Sequence, residues 1–462
     1  MQLRLTDYTT TVNLNDFSQA GTLKYVPQTP KWTAEVVPGT SSGIDTLPGG
    51  RYDAVTESWL GDLLGSAATM RSTLNTIGQL IYRATAWSSG SRGTKIAPVY
   101  LEFKPLDSDS TWYRSPVSFI QIDLDEEALD WQLPLNTRTR VTLTWTRAPY
   151  WERSTETELG LTTAIQTKRT GGVNIYSADV NDASSASRWY VDGADVAGDL
   201  PAPLRLKLVS GPTVGAYYMT DIRIGQSIWA DMATIYNYAA VPLTYFKLTG
   251  TTVNWSGTNV QTLTTQTLAT TLSAAYGGAL VRPVMRFASG TTSDATMRAY
   301  YTISMTNYSG TAILYTSPYV SVYKNPVMEM PAMHLPPDYY GSTNNVTYTI
   351  NVYAISNTAG AHSLGLLSLS IPPMERWRRY DLSNFPLPLG YGLVDDPVVA
   401  NAYTIDGSSK NSGAIRVFGD AMIVVPGRRT DYMLTHSASD GTTNDTSVLV
   451  TQAYYRPRRL AL

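Results

Sequence analysis

The chain has 462 residues, of which 16% are charged; it carries a formal net charge of -2, three histidines and no cysteine. Disulfides and thiolate metal sites are therefore excluded, and the balanced charge lacks the clustered basic surface of a nucleic-acid binder. Against this stand 31 tyrosines and 11 tryptophans, which with Thr and Val suit half-buried strands, so the composition predicts a β-rich protein.

No segment has the apolar length of a membrane span, and the first residues lack the apolar core of a signal peptide. We therefore expect synthesis in the cytoplasm and no membrane insertion. Poor metal-ligand spacing and the scattered histidines lead us to expect no metal and no cofactor.

The first 152 residues predict a β-rich domain with one helix. Alternating apolar and polar positions indicate strands within residues 1–14, 31–37 and 51–60. Apolar residues then fall at Met70, Leu74, Ile77 and Ile81, one stripe of a helix spanning residues 66–84 with Ser66 as its N-cap.

Further strands are predicted after the helix, at residues 98–103, 117–122 and 133–145. In the last of these Val141, Leu143 and Trp145 share one face, and threonines occupy the other. Pro149 ends the alternation, and a polar stretch follows, so we place a domain boundary after residue 152.

Residues 153–377 contain many short strands separated by polar turns, which is typical of a β-sandwich or jelly roll. Prolines then mark a second break, and residues 378–462 predict a C-terminal β segment. This segment either forms a third domain or completes an earlier one.

The order of features in residues 1–152 resembles the N-terminal domain of phage distal tail proteins, which join the tail tube of a long-tailed phage to its tip. The resemblance is carried by the N-terminal strand pair, the helix at 66–84, and the strands at 99–103 and 117–122. The last matching piece is the segment Trp-Thr-Arg-Ala-Pro-Tyr-Trp-Glu at 145–152, with which the chain leaves the domain. Later segments also look like phage tail proteins, namely residues 198–206, 377–380, 426–429 and 455–459. The resemblance implies a hexameric ring with an inner β domain bearing one helix and an outer sandwich of galectin-like or carbohydrate-module-like shape.

Two clusters contain carboxylates at short spacing. The acidic run at residues 123–130 has no glycine for a calcium loop, so a solvated turn is the favoured interpretation over a metal site. The second cluster contains Asp192, Asp195 and Asp199, and it follows the aromatic pair Trp189 and Tyr190. Trp189, Tyr190 and Asp192 suit either a glycan contact in a sandwich or two core aromatics beside a polar turn.

The basic end of the sequence contains Tyr454, Tyr455, Arg456, Arg458 and Arg459. Arginine forks suit bidentate ion pairs, so these residues are candidates for an assembly contact with another segment or subunit. The alternative is a frayed, solvated terminus.

Nucleophilic catalysis is not indicated, because no Gly-x-Ser-x-Gly motif occurs and His334, His362 and His436 are each isolated in sequence. We therefore do not expect an enzyme, and the resemblance to phage distal tail proteins implies a structural virion protein of a long-tailed phage or prophage, forming a ring at the distal end of the tail. Its partners would be further copies of itself, the tail tube and the tail-tip proteins. The alternative is a glycan-binding adhesin or receptor-binding module that recognises a cell-surface glycan through its sandwich.

Overall fold

A computed structural model describes most of the chain. The described residues are 1–14, 25–35, 49–89, 97–106, 108–124, 138–163, 166–175, 188–210, 219–228, 247–249, 252–268, 280–288, 291, 294–307, 310–324, 327–334, 347–370, 372, 374–384, 387–388, 390–397, 401–406, 409–411, 415–438 and 449–462.

The chain divides into two compact units, and the first is assembled from three stretches of sequence. It comprises Met1–Thr157, Ala197–Ala202 and Arg456–Leu462. The elements of the first stretch are β1 (Gln2–Thr6), β2 (Thr11–Asn13), β3 (Trp32–Glu35), β4 (Gly49–Tyr52), β5 (Val55–Leu64), α1 (Ala67–Ser88), β6 (Val99–Lys104), β7 (Tyr113–Leu124), β8 (Arg138–Arg147) and β9 (Trp151–Arg153).

The main sheet of the first unit has the strand order β2-β1-β6-β7-β8-β5, and β7 also pairs with β9. The inward side chains of this sheet and the buried face of α1 form one apolar core that includes Leu101, Val117, Leu143 and Trp145. Trp59 folds its ring over Gly61, where an added Cβ would lie 2.0 Å from a ring atom. A glycine is therefore required at this position of β5.

The predicted helix is present, with a shifted buried face. Ser66 caps it as expected, since its hydroxyl accepts a hydrogen bond from the backbone N–H of Thr69. The buried residues are Met70, Ile77, Leu80 and Ala84. Leu74 and Ile81 are only partly buried against the core. The helix is thus rotated slightly from the orientation that the sequence pattern predicts.

The second unit comprises Glu158–Val196 and Pro203–Tyr455. The strands that follow β9 along the chain are β10 (Thr157–Glu158), β11 (Thr162–Thr163), β12 (Val173–Ile175), β13 (Arg188–Val191), β14 (Ala202–Pro203), β15 (Arg205–Ser210), β16 (Met219–Ile228), β17 (Lys247–Thr249), β18 (Thr252–Ser256), β19 (Gln261–Leu268), β20 (Leu280–Val281), β21 (Val284–Phe287), β22 (Met297–Asn307), β23 (Gly310–Thr316), β24 (Val320–Ser321), β25 (Val327–Glu329), β26 (Met333–His334), β27 (Thr347–Ser356), β28 (Ala361–Ser370), β29 (Arg376–Asp381), β30 (Gly392–Asp396), β31 (Asn401–Asp406), β32 (Ser409–Asn411), β33 (Arg416–Gly419), β34 (Ile423–Val424), β35 (Thr430–Ala438) and β36 (Leu449–Tyr455).

Strands from the beginning and the end of this unit form two large sheets. One has the order β10-β36-β15-β30-β31-β32 and the other the order β11-β13-β35-β16-β29-β33. A buried ion pair links them, because Arg378 on β29 donates two hydrogen bonds to Asp395 on β30 at 2.9 and 2.7 Å. Tyr380 donates to the same carboxylate at 2.7 Å.

The strands β17 to β28 form a separate sandwich between β16 and β29, which are themselves paired. One of its sheets has the order β17-β28-β21-β25 and the other the order β19-β27-β22-β23. Side chains from both sheets share one core, including Phe287 and Leu366 from the first and Tyr301 and Val352 from the second. We call this region, residues 247–370, the inserted sandwich.

Residues beyond Tyr455 return to the first unit, where β37 (Arg458–Arg459) pairs with β9. The structure thus groups the chain differently from the three predicted segments 1–152, 153–377 and 378–462. Strands β29 to β36 belong to the second unit, and of the predicted C-terminal segment 378–462 only the last seven residues belong to the first.

The prediction of a mainly β protein is confirmed. The strand pairings in the main sheet of the first unit and in the inserted sandwich are antiparallel. Within the described residues, no helix has the length and apolarity that a membrane crossing requires.

Candidate assembly surface

The outer face of the main sheet in the first unit, opposite α1, has two chemically different halves. Over β1, β6 and the start of β7 it carries charged and aromatic side chains. Glu102 is fully buried there and accepts hydrogen bonds from Arg4 at 2.6 Å and from the Tyr8 hydroxyl at 2.8 Å. Arg114 in turn donates to Glu152, also buried, at 3.0 Å. The charged side chains of this half are therefore already paired with one another.

The other half, over β5, β8 and the middle of β7, carries mainly uncharged side chains. Hydroxyl groups pair across the strands, Thr56 with Thr146 at 3.0 Å and Ser58 with Thr144 at 2.9 Å. Leu60 is 60% exposed and Phe119 is 46% exposed on the same sheet. We call these six residues, with Thr142 opposite Leu60, the open face.

The sequence pattern produces this face directly. Along β8 the apolar side chains Val141, Leu143 and Trp145 point into the core, so Thr142, Thr144 and Thr146 must point outward. The alternation of threonines was visible in the sequence. The contribution of Leu60 and Phe119 was not, because it depends on which strands pair with β8.

The basic segment predicted as an assembly contact packs largely within the protein itself. Arg458 lies 3.4 Å from Glu152 and 3.9 Å from the centre of the Tyr150 ring. Arg456 donates to the backbone carbonyl of Ser154 and pairs with Glu156 at 3.4 Å. Arg459 occupies the β37 position opposite Trp151. The segment is therefore docked on β9 and is not a frayed end.

The two tyrosines before this segment belong to the second unit. Tyr455 is buried, and Tyr454 lies beneath the guanidinium of Arg205 at 4.4 Å.

The residues predicted as a glycan contact do not form a common surface. Trp189 is fully buried and stacks on Tyr432 with the ring centres 5.2 Å apart. Tyr190 is half-buried beneath Arg429 at 3.7 Å, and Asp192 caps a short 3-10 helix by accepting from the N–H of Ala194. A buried indole offers no face to a sugar, so Trp189 takes the alternative role of a core aromatic.

The surroundings of His362, which is buried in the inserted sandwich, differ from those of a catalytic-triad histidine. Its Nδ1 lies 2.8 Å from Asp294 and its Nε2 lies 3.0 Å from the backbone carbonyl of Thr358. Both ring nitrogens thus face acceptors, and no nucleophilic hydroxyl is placed on the second one, as a Ser-His-Asp arrangement would need.

The described residues hold no cluster of three or more His, Asp or Glu side chains that could bind a metal ion. Of the acidic run at 123–130, residues 125–130 lie outside the described part of the chain.

No protein-family model matches the chain. No curated protein matches it. Among solved structures, it is similar to the SPP1 Dit protein, described as a paradigm of the hub adsorption apparatus in phages that infect Gram-positive bacteria. The identity is 7%, the match covers 99% of this chain and 98% of that one, and the TM-score is 0.33.

A second similar structure is the VP2 subviral particle of infectious bursal disease virus, with 9% identity, 65% of this chain and 79% of that one covered, and a TM-score of 0.19. Since both TM-scores are below 0.5, the function proposed for this chain rests on its own residues.

Proposed function

We propose that this chain is a structural virion protein of a long-tailed phage or prophage, and that it forms a ring at the distal end of the tail, joining the tail tube to the tip. The observation that carries this proposal is the open face of the first unit. The sequence resemblance of residues 1–152 to distal tail proteins supplies the ring, its expected six copies, and its tail-tube and tip partners.

The open face has the chemistry of a subunit contact. Interface cores are poor in charge and contain large apolar side chains, and exposed apolar groups gathered on one face mark interaction sites. Leu60 and Phe119 provide the apolar area. The hydroxyls of Thr56, Ser58 and their partners already bond to each other, so covering them leaves few polar groups unsatisfied.

A closed ring needs two different contact surfaces on each subunit, because one face of each copy meets another face of the next. In this proposal the open face is one of them. The chain acts through these contacts alone, without catalysis, metal or cofactor. Its location would be the virion tail.

The test is electron microscopy of assembled tails that contain either the wild-type chain or a variant. Phe119→Asp and Leu60→Asp each place an unpaired charge in the contact and should abolish the ring. The matched control is Tyr82→Asp, which changes a side chain that is 72% exposed on α1, on the opposite side of the sheet. This control should leave the ring intact.

Two results would contradict the proposal. One is a ring that forms normally with both open-face variants, which would show that the open face is not a subunit contact. The other is density for this chain in a head shell with no tail axis, which would remove the tail assignment.

A further inference from the structure

Three tyrosines cluster on the outer face of the inserted sandwich. Tyr300 on β22 and Tyr353 on β27 are cross-strand partners, and their rings stack with centres 4.9 Å apart. Tyr319, in the turn before β24, meets Tyr300 edge-to-face at 4.7 Å. The three rings thus form a continuous row, which we call the tyrosine row.

Sheet stability alone does not account for this row. A stacked cross-strand pair stabilises a sheet, which explains Tyr300 and Tyr353. Tyr319 lies outside the strands and is 53% exposed, so its ring is held against Tyr300 while much of its surface remains in water. Such a ring is a preformed platform that loses little conformational entropy when a ligand stacks on it.

Apart from Arg298, which is exposed on the same face of β22 two residues before Tyr300, the polar groups of the strands around the row are uncharged hydroxyls and amides. Asn351 lies on the same face of β27 two residues before Tyr353, and its Oδ1 accepts from Thr265 at 2.8 Å. That bond leaves the amide nitrogen of Asn351 as a donor. Thr262 is the cross-strand partner of Tyr353. A phenol hydroxyl can both donate and accept hydrogen bonds, so Tyr300 and Tyr353 add further uncharged polar groups to this face.

Charge narrows the class of ligand further. The strands β19, β22, β23, β24 and β27 contain no aspartate or glutamate, and Arg298 is their sole charged residue. A cationic ligand would find no counter-ion on this sheet. Exposed aromatic rings beside uncharged donors and acceptors suit a polyhydroxylated ligand, whose C–H faces pack on a ring while its hydroxyls exchange hydrogen bonds.

We propose that the tyrosine row of the inserted sandwich is a binding site for a neutral glycan, with Tyr319 as the stacking platform and the hydroxyls of Tyr300 and Tyr353 and the amide of Asn351 as hydrogen-bonding groups. This function goes beyond ring formation and does not depend on it. It also places glycan recognition on a different surface from Trp189, Tyr190 and Asp192.

The experiment uses the full-length chain on an array of neutral and acidic oligosaccharides, followed by calorimetric titration with the best-bound neutral glycan. Tyr319→Ala should weaken binding at least tenfold, since it removes the platform. Tyr353→Phe keeps the ring and removes one hydroxyl, and should weaken binding several-fold. Tyr82→Ala is the matched control, because it deletes another tyrosine that is more than half exposed, in the first unit, and the affinity of this variant should equal that of the wild type.

Circular dichroism of each variant verifies folding, so that a loss of binding reports on the site. The proposal is overturned if the wild type retains no neutral glycan, or if Tyr319→Ala binds as tightly as the wild type. Retention of acidic glycans alone, abolished by Arg298→Gln, would also overturn it in favour of a charge-based site. Capture of a proline-rich peptide with no glycan retained would identify the row as a peptide groove instead. Each result is independent of whether tail rings form.

Discussion

The carboxylate of Glu57 is buried in the first unit beside the guanidinium of Arg147, which is fully buried. Arg147 donates to both carboxylate oxygens, at 2.8 and 3.1 Å. The Tyr25 hydroxyl, the Trp145 indole and the backbone N–H of Gln28 donate as well, at 2.6, 3.0 and 2.8 Å. Burial alone would raise the pKa of Glu57, but the hydrogen bonds and charge of Arg147 outweigh it and lower the pKa.

Glu57→Gln should therefore be strongly destabilising, because it leaves Arg147 as a buried cation without its counter-ion. Breaking a buried pair in this way costs about 3–5 kcal/mol. Urea unfolding measures the loss. The control is Asp62→Asn, whose partner Arg140 lies 3.7 Å away and is mostly exposed, although Asp62 itself is largely buried. Because water screens the charge of Arg140, this pair should contribute at most about 1 kcal/mol.

The same residue predicts a pH dependence. Since the folded pKa of Glu57 is lowered, the unfolded chain binds its proton first as the pH falls below about 4.3. The contribution of Glu57 is fully present above this pH and is lost as the pH falls through the folded value. Wild type should thus lose more stability than Glu57→Gln over this window. Parallel stability curves for the two proteins would contradict the proposed role of the pair.

At the scale of elements, α1 shows what the sequence determines and what it leaves open. Its existence and its Ser66 cap follow from local spacing and local hydrogen bonding, and both are found. The predicted stripe through Leu74 and Ile81 is only partly buried, whereas Leu80 and Ala84 are fully buried. The angle at which the helix docks on β7 is set by the sheet, so helical periodicity alone cannot fix which edge of the stripe faces inward.

This rotation gives a comparison between two aliphatic residues on one helix. Ile77→Ala should cost about 2–5 kcal/mol, because the side chain is fully buried and its removal leaves a cavity. Leu74→Ala should cost clearly less, since that side chain is only partly buried. Thermal unfolding of both variants provides the measurement. Equal losses, or a larger loss for Leu74→Ala, would mean that the helix packs as the sequence pattern alone predicts.

The candidate surfaces could be predicted from the sequence less completely than the helix. The outward threonines of β8 follow from alternation, but the open face also needs Phe119 and Leu60 from strands that are distant in sequence. The tyrosine row likewise joins residues from β22, β27 and a turn. Such sets depend on which strands pair and in what register, and periodicity within one strand does not reveal its partner.

At the scale of the whole molecule, the first unit is complete only after the second has been traversed along the chain. In this unit β9 pairs with β37, and Glu152 on β9 forms an ion pair with Arg458. The segment Ala197–Ala202 adds a second anchor, since the N–H of Asp199 donates to the carbonyl of Arg458 at 2.7 Å. Gly198 makes this approach possible, because it has φ of 111° and an added Cβ would lie 2.5 Å from that carbonyl oxygen.

Ending the chain after Tyr455 should therefore destabilise the first unit, although residues 1–157 remain unchanged. Glu152 is buried and would keep Arg114 but lose the cation of Arg458 together with the strand that covers it, and we expect a loss of about 1.5–3 kcal/mol. Ending the chain after Leu460 is the control, since it removes only the exposed Ala461 and Leu462. Hydrogen exchange at β7 and β9 should accelerate in the first truncation and not in the second. If both truncations exchange and melt like the full chain, the last seven residues merely rest on a unit that is already complete, and the first 157 residues suffice for a ring-building domain.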